Sequence, residues 1–212
     1  MTDEAENPAA GAWQSLWLAA LAVGVAAIAS GFLILSRADK VTPHVAEFAC
    51  PEIGTVLVHA TPLALSADPG KTGRWKMLER DGFACRFGKE KGEYWLYGGL
   101  TESPHLEWRA AAEELWPLKV GNATHARFVD NDQIWSVDYK VTSFEKYTAR
   151  LGTFDTFKIE GTLKIDGRLA FSTTRWWSPD IRHVLSMRFV RAAADPRDNF
   201  YWEISAIGER DG

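Results

Sequence analysis

Twenty consecutive residues without a charge, Leu16 to Leu35, limit what this chain can become more than any other feature. A helix of that length rises about 30 Å, the thickness of a bilayer's hydrocarbon core. Trp13 and Trp17 sit at one end, where indole rings favour the headgroup zone, and Arg37, Asp39 and Lys40 close the other. A cleaved signal peptide is the nearest alternative. It fits less well: no Lys or Arg precedes the run, and Phe32-Leu33-Ile34-Leu35 follows the small-residue stretch Ala27-Ile28-Ala29-Ser30, where cleavage would fall. The run is therefore read as an uncleaved transmembrane helix over 16–35 that holds the chain to a lipid bilayer, with 1–15 as a tail. Ala20 with Gly24, and Ala27 with Gly31, place small residues at four-residue spacing, the one feature that points to a homodimer through this helix.

Residues 36–49 read as a linker, and 50–208 as one folded domain of ordinary size. Asp3, Glu4 and Glu6 lie ahead of the apolar run, so removing residues 1–35 leaves 24 basic against 25 acidic residues, a net of −1. A nearly neutral domain has no bulk field with which to gather nucleic acid, and no nucleic-acid partner is expected.

Within the domain, period-two alternation dominates, the mark of strands with one face buried. Phe157, Ile159, Leu163 and Ile165 share one face; Lys158, Glu160, Thr162 and Lys164 share the other. Asp166-Gly167 then supplies a turn, and Leu169–Thr173 resumes, which together predict a β-hairpin. Trp135, Val137, Tyr139 and Val141 alternate likewise, as do Leu185, Met187 and Phe189. Shorter strands are expected near 55–60, 74–78, 83–87, 93–97, 125–129 and 200–207. One segment differs: Leu106, Trp108, Ala112, Leu115 and Trp116 recur at near-helical spacing, with Ser103 as the expected cap, Pro104 at the first position and Trp116-Pro117 closing the helix. The fold class is thus mainly β (α+β): a curved antiparallel sheet or half-barrel with one packed helix, a small closed barrel or a sandwich being the alternatives.

Cys50 and Cys85 are the only cysteines. With no C-x-x-C and no neighbouring His cluster they do not read as a metal site. Two lone cysteines flanking predicted strands fit one stapling disulfide, which persists in an oxidising compartment; two unrelated buried thiols are the alternative.

Trp116-Pro117-Leu118-Lys119-Val120-Gly121, then Gly152-Thr153-Phe154-Asp155-Thr156-Phe157-Lys158-Ile159, then Trp176-Trp177-Ser178-Pro179-Asp180 form a recognisable series. It resembles a broad group of bacterial extracytoplasmic domains of unknown function, over roughly Trp116 to Val190. In that group an aromatic such as Tyr is usual where Trp176 stands, so Arg175-Trp176-Trp177 is a departure. Related sheets are similar to the half-barrels of lipoprotein-carrier proteins, which hold acyl chains on a concave apolar face. The resemblance implies a domain outside the cytoplasm and no catalytic residues. It thereby sides with the cysteines against Arg37 and Lys40, which by the positive-inside rule favour a cytoplasmic domain. The expected location is a bacterial inner membrane, single-pass, with the C-terminal domain in the periplasm.

Catalytic motifs are missing: no H-E-x-x-H, no phosphate-binding Gly-rich loop, no G-x-S-x-G, no dinucleotide fingerprint. His44, His59, His105, His125 and His183 are scattered and read as surface or satisfied strand residues. Asp130-Asn131-Asp132 lacks the Gly and Glu of a calcium loop and reads as a turn. No catalytic residue, metal ligand or cofactor is expected. Trp108, Trp116, Trp135, Trp176 and Trp177 are the candidate ligand-facing or core aromatics, and Trp176 and Trp177 must point to opposite faces. The sequence supports a non-enzymatic, membrane-anchored module for an envelope protein partner or a lipid-like apolar ligand. An envelope hydrolase with a spatially assembled site, or an accessory subunit of a membrane complex, is the alternative.

Overall fold

Apolar–polar alternation resolves into twelve strands in the computed structural model, which describes residues 44–61, 72–89, 92–192 and 199–208. The expected anchor at 16–35 lies outside these residues; among those described, no helix is long and apolar enough to cross a membrane. The strands are β1 (Val45–Ala46), β2 (Val56–Ala60), β3 (Thr72–Asp81), β4 (Ala84–Lys89), β5 (Gly92–Tyr97), β6 (Leu118–Lys119), β7 (Ala123–Asp130), β8 (Gln133–Ala149), β9 (Gly152–Ile165), β10 (Arg168–Ser178), β11 (His183–Arg191) and β12 (Phe200–Gly208), with one helix, α1 (Leu106–Glu114), between β5 and β6.

Ten strands form one antiparallel sheet in the spatial order β5-β4-β3-β2-β12-β11-β10-β9-β8-β7. Two hairpin meanders, β2–β5 and β7–β12, are joined where the last strand pairs with β2 through Glu203–Ala60 and Ile204–His59. The tight turns follow local chemistry. Asn131 and Asp132 take φ of 49° and 61° between β7 and β8, and Asp166 and Gly167 take 50° and 76° between β9 and β10. Paired positive φ values are those of the hairpin turns whose twist matches the strands.

α1 starts at Leu106, two residues later than the Ser103-Pro104 pattern predicts. His105, with φ −67° and ψ 124°, is the N-cap, and no side chain caps the helix. Pro104 disfavours helical geometry at Ser103, whose hydroxyl instead accepts the His105 N–H at 3.3 Å. Ala111, Ala112, Leu115 and Trp116 face the core, whereas Leu106 is 72% exposed.

The helix touches both sheet edges. Thr124 of β7 donates its hydroxyl to the Ala111 carbonyl at 2.7 Å. Just after β5, a Cβ on Gly98 would lie 2.5 Å from the Ala112 carbonyl oxygen. In a flat sheet, ten strands spaced about 4.8 Å apart would hold those edges roughly 40 Å apart. A single helix is only about 10–12 Å across, so the sheet must curl until both edges meet it. Register shifts at Met77/Glu79, Val141/Ser143, Leu169/Phe171, Trp176/Trp177 and Ile204/Ala206 add the local twist that such curvature needs.

The concave face carries two apolar clusters. One gathers α1 with β7–β11 around Leu115, Trp116, Ile159 and Trp177. The other gathers Cys50, Leu57, Met77, Phe87, Leu96 and Ile204, and Phe48 and Trp202 pack against both. Part of the stretch read as linker belongs to the fold: β1 pairs with β6, Ala46 is buried, and the Cys50–Cys85 disulfide ties this segment to β4.

Candidate functional site

Inward positions of neighbouring strands line up as rows across the sheet. Tyr139, Gly161, Thr173, Phe189 and Phe200 form one, running from β8 to β12; Val141, Ile159, Arg175, Met187 and Trp202 form the next. Phe157, Trp177 and Val184 follow beneath and are fully packed. Between these rows, the helix and the β5 end lies a cavity of about 430 Å3, lined largely by Trp75, Leu96, Trp108, Val137, Phe171, Met187, Phe189 and Trp202. Its size falls within the roughly 300–1,000 Å3 typical of small-molecule sites. Gly161 keeps the wall thin: a Cβ there would lie 2.7 Å from Thr173 Oγ1 and 3.0 Å from the Tyr139 ring.

The polar side chains on this mainly apolar lining are Thr101, Glu102, Tyr139, Thr162, Thr173, Arg175 and His183, besides the tryptophan N–H groups. Trp108 Nε1 donates to Tyr139 Oη at 2.7 Å, and burial pushes the Tyr139 phenol above its ordinary pKa. Arg175 is 9% exposed; its Nη1 donates to Thr173 Oγ1 and its Nη2 to the Leu100 carbonyl at 3.0 Å. Its guanidinium lies 5.8 Å from the centre of the Tyr139 ring. No Asp or Glu among the described residues pairs with it. Glu102 also lines the cavity, and its carboxylate is paired with Lys89 Nζ at 3.5 Å.

His59 and His183 depart from the reading of scattered, satisfied histidines. Both are buried, with ring centroids 6.0 Å apart, among Trp75, Phe87 and Trp202. Neither ring nitrogen of His59 has a hydrogen-bond partner, and Nε2 of His183 has none. Burial, then the neighbouring His183 and Lys89, lowers His59 to about 2, and burial lowers His183 to about 3. Both are neutral at physiological pH. Among the described residues no carboxylate hydrogen-bonds either ring, and no group of three or more His, Cys, Asp or Glu is arranged to hold a metal ion. The other three histidines are peripheral: His44 stacks on Phe144, His105 on Phe128, and His125 pairs with Asp138 at 2.7 Å.

The five aromatics singled out from the sequence divide. Trp108 lines the cavity. Trp116 and Trp177 are core, packed edge to face at 4.9 Å, with Trp116 Nε1 donating to the Gly98 carbonyl at 2.9 Å. Trp135 packs against the core and stacks on Phe128. Trp176 points to the opposite face from Trp177, stacking on Tyr147 and donating Nε1 to Glu145 Oε1 at 3.0 Å. Hydrogen bonds from the Ser143 hydroxyl and then from Trp176 hold the Glu145 carboxyl below its ordinary pKa. Trp75, Trp202, Met187 and Arg175 line the cavity without having been singled out; alternation placed some of them on a face, but only the strand order brings them together.

No family model and no curated relative matches the chain. Among solved structures it is similar to the hypothetical lipoprotein YmcC from Escherichia coli, at TM-score 0.44 and 7% identity, over 72% of this chain and 83% of that one. It is also similar to a protein described as exported, with a YmcC-like fold, from Bacteroides fragilis, at TM-score 0.39 and 10% identity, over 77% of this chain and 100% of that one. A protein described as a lipoprotein from Parabacteroides distasonis matches at TM-score 0.39 and 10% identity, over 78% and 100% of the two chains. Likeness at this level carries nothing to individual residues.

Proposed function

We propose that this chain is a membrane-anchored, extracytoplasmic, non-enzymatic binding module whose concave cavity takes an apolar or amphiphilic ligand. The observation that carries the reading is the cavity of about 430 Å3 walled chiefly by aromatic side chains and Met187, with polar side chains in the minority. Apolar walls reward the transfer of hydrocarbon from water by about 25 cal/mol per Å2 buried. The Leu16–Leu35 run supports the anchor. The Cys50–Cys85 bond supports placement in an oxidising compartment.

The test uses the full chain in lipid nanodiscs with a neutral probe, a long-chain alcohol carrying a mid-chain diazirine. On illumination, label is expected on β10–β12 peptides bearing Phe171, Met187, Phe189 and Trp202, and Met187→Trp is expected to suppress it by filling the space. Label confined to peptides of the apolar run, with the cavity strands bare, would overturn the reading and leave a protein partner as the module's target.

A further inference from the structure

Arg175 is a buried charge that the packing around it does not account for. It stands in β10, three residues before the strand ends, in the row Val141, Ile159, Arg175, Met187 and Trp202, whose other members are all apolar. Taking a guanidinium out of water costs several kcal/mol unless charge and hydrogen bonds compensate it. Among the described residues, two hydrogen bonds, to Thr173 Oγ1 and the Leu100 carbonyl, engage two of its five N–H donors, and no carboxylate pairs with it. Losing its proton is no escape, because guanidinium stays charged in proteins. The Tyr139 ring and its two acceptors hold the side chain in place, and the guanidinium borders the cavity.

We propose that the cavity's ligand is a long-chain carboxylate, bound head inwards with its carboxylate on Arg175. This rests on the ligand-binding reading above and specifies the ligand's class. A carboxylate matches the guanidinium fork and can accept two parallel N–H bonds. The remainder of the wall is suited to the chain: Phe171, Phe189 and Phe200 follow one another across β10–β12 at centroid separations of 4.6 Å, the first pair tilted and the second stacked, and Met187 adds an adaptable surface. Trp108 and Tyr139 bond to each other, Glu102 is paired with Lys89, and His183 is neutral, so among the described residues lining the cavity Arg175 is the one charge without an opposite partner. A bulky zwitterionic head fits poorly, because its cationic part would enter the same apolar space as the guanidinium.

The full chain in nanodiscs is labelled in parallel with a diazirine-bearing hexadecanoic acid and the matching alcohol. Cavity peptides are expected to take the acid at least about tenfold more efficiently, the scale of one charge-assisted hydrogen-bonded pair. Arg175→Gln is expected to bring the acid down to the level of the alcohol, and Arg175→Lys to keep part of the preference. Equal labelling of the wild-type cavity by acid and alcohol would overturn the carboxylate site while leaving the apolar-ligand reading standing. Labelling of the cavity by neither would end both. The wild-type comparison decides even if Arg175→Gln fails to fold. An acid preference that survives intact in a folded Arg175→Gln protein would overturn the role of Arg175.

Discussion

Two buried histidines make this protein's stability depend on pH in a defined direction. His59 and His183 are held near 2 and 3 in the fold, against about 6.5 in an unfolded chain. Below pH 6.5 the unfolded chain takes up protons that the native state refuses. Their contribution is therefore complete above that pH and is lost progressively as the pH falls toward 3. Between about pH 7.5 and about pH 5 each histidine should cost about 2 kcal/mol of unfolding free energy. Urea titrations at the two pH values read this directly, and His183→Phe, set against Phe87, should remove roughly half of the difference. Unchanged stability across that interval would mean that the rings are hydrated or paired. A second residue, Asp132, predicts the opposite sign. Its φ of 61° in the β7–β8 turn is a conformation that glycine adopts freely, and no hydrogen bond among the described residues engages its side chain. Asp132→Gly creates the Asn-Gly pair favoured in such turns and should raise stability by about 0.5–1 kcal/mol, seen as a higher denaturation midpoint.

At the scale of elements, α1 explains why the sheet curls and why Gly98 is required. A Cβ on Gly98 would meet the Ala112 carbonyl oxygen at 2.5 Å, and its φ of 55° also disfavours any other residue. Gly82 has nearly the same φ, 53°, with nothing within 4 Å of a Cβ. The pair separates backbone strain from steric contact. Gly82→Ala should cost about 1 kcal/mol, and Gly98→Ala at least 2 kcal/mol more, because the helix must back away from the β5 edge. Denaturant midpoints measure both; equal losses would show that the helix is not seated against Gly98. Much of this level was legible in the sequence. Alternation located β8, β9 and β10, and Asp166-Gly167 marked their turn, because a half-buried strand writes its buried face into every second residue. The helix start was misplaced because Ser103-Pro104 carries a helix-start pattern whose residues are used instead to enter the extended His105.

The whole molecule depends on pairings that no local pattern encodes. Each strand's inward residues could be listed from alternation, but the site exists only because β12 lies between β2 and β11, which brings Trp202 and Trp75 into one cavity with Arg175. For the same reason His59 and His183, more than a hundred residues apart, looked unrelated in the sequence. Disulfide bonding was legible from composition, since two lone cysteines in strand-rich company have few other uses; its mechanical role was not. The bond spans 35 residues and joins Cys50, at the end of the segment that carries β1 and Phe48, to Cys85 in β4. Phe48 packs edge to face on Trp116 at 5.2 Å, so the bond also fixes the side of the core beneath the helix. Closing a loop of that length should stabilise the fold by about 3–4 kcal/mol, chiefly by restricting the unfolded chain. A Cys50→Ser/Cys85→Ser protein should therefore unfold at correspondingly lower denaturant, and its midpoint should be insensitive to dithiothreitol. The wild type should fall to the same midpoint when reduced. If reduction leaves the wild-type midpoint unmoved, the bond adds no restriction to the unfolded chain and the loop-closure account of its stabilisation fails.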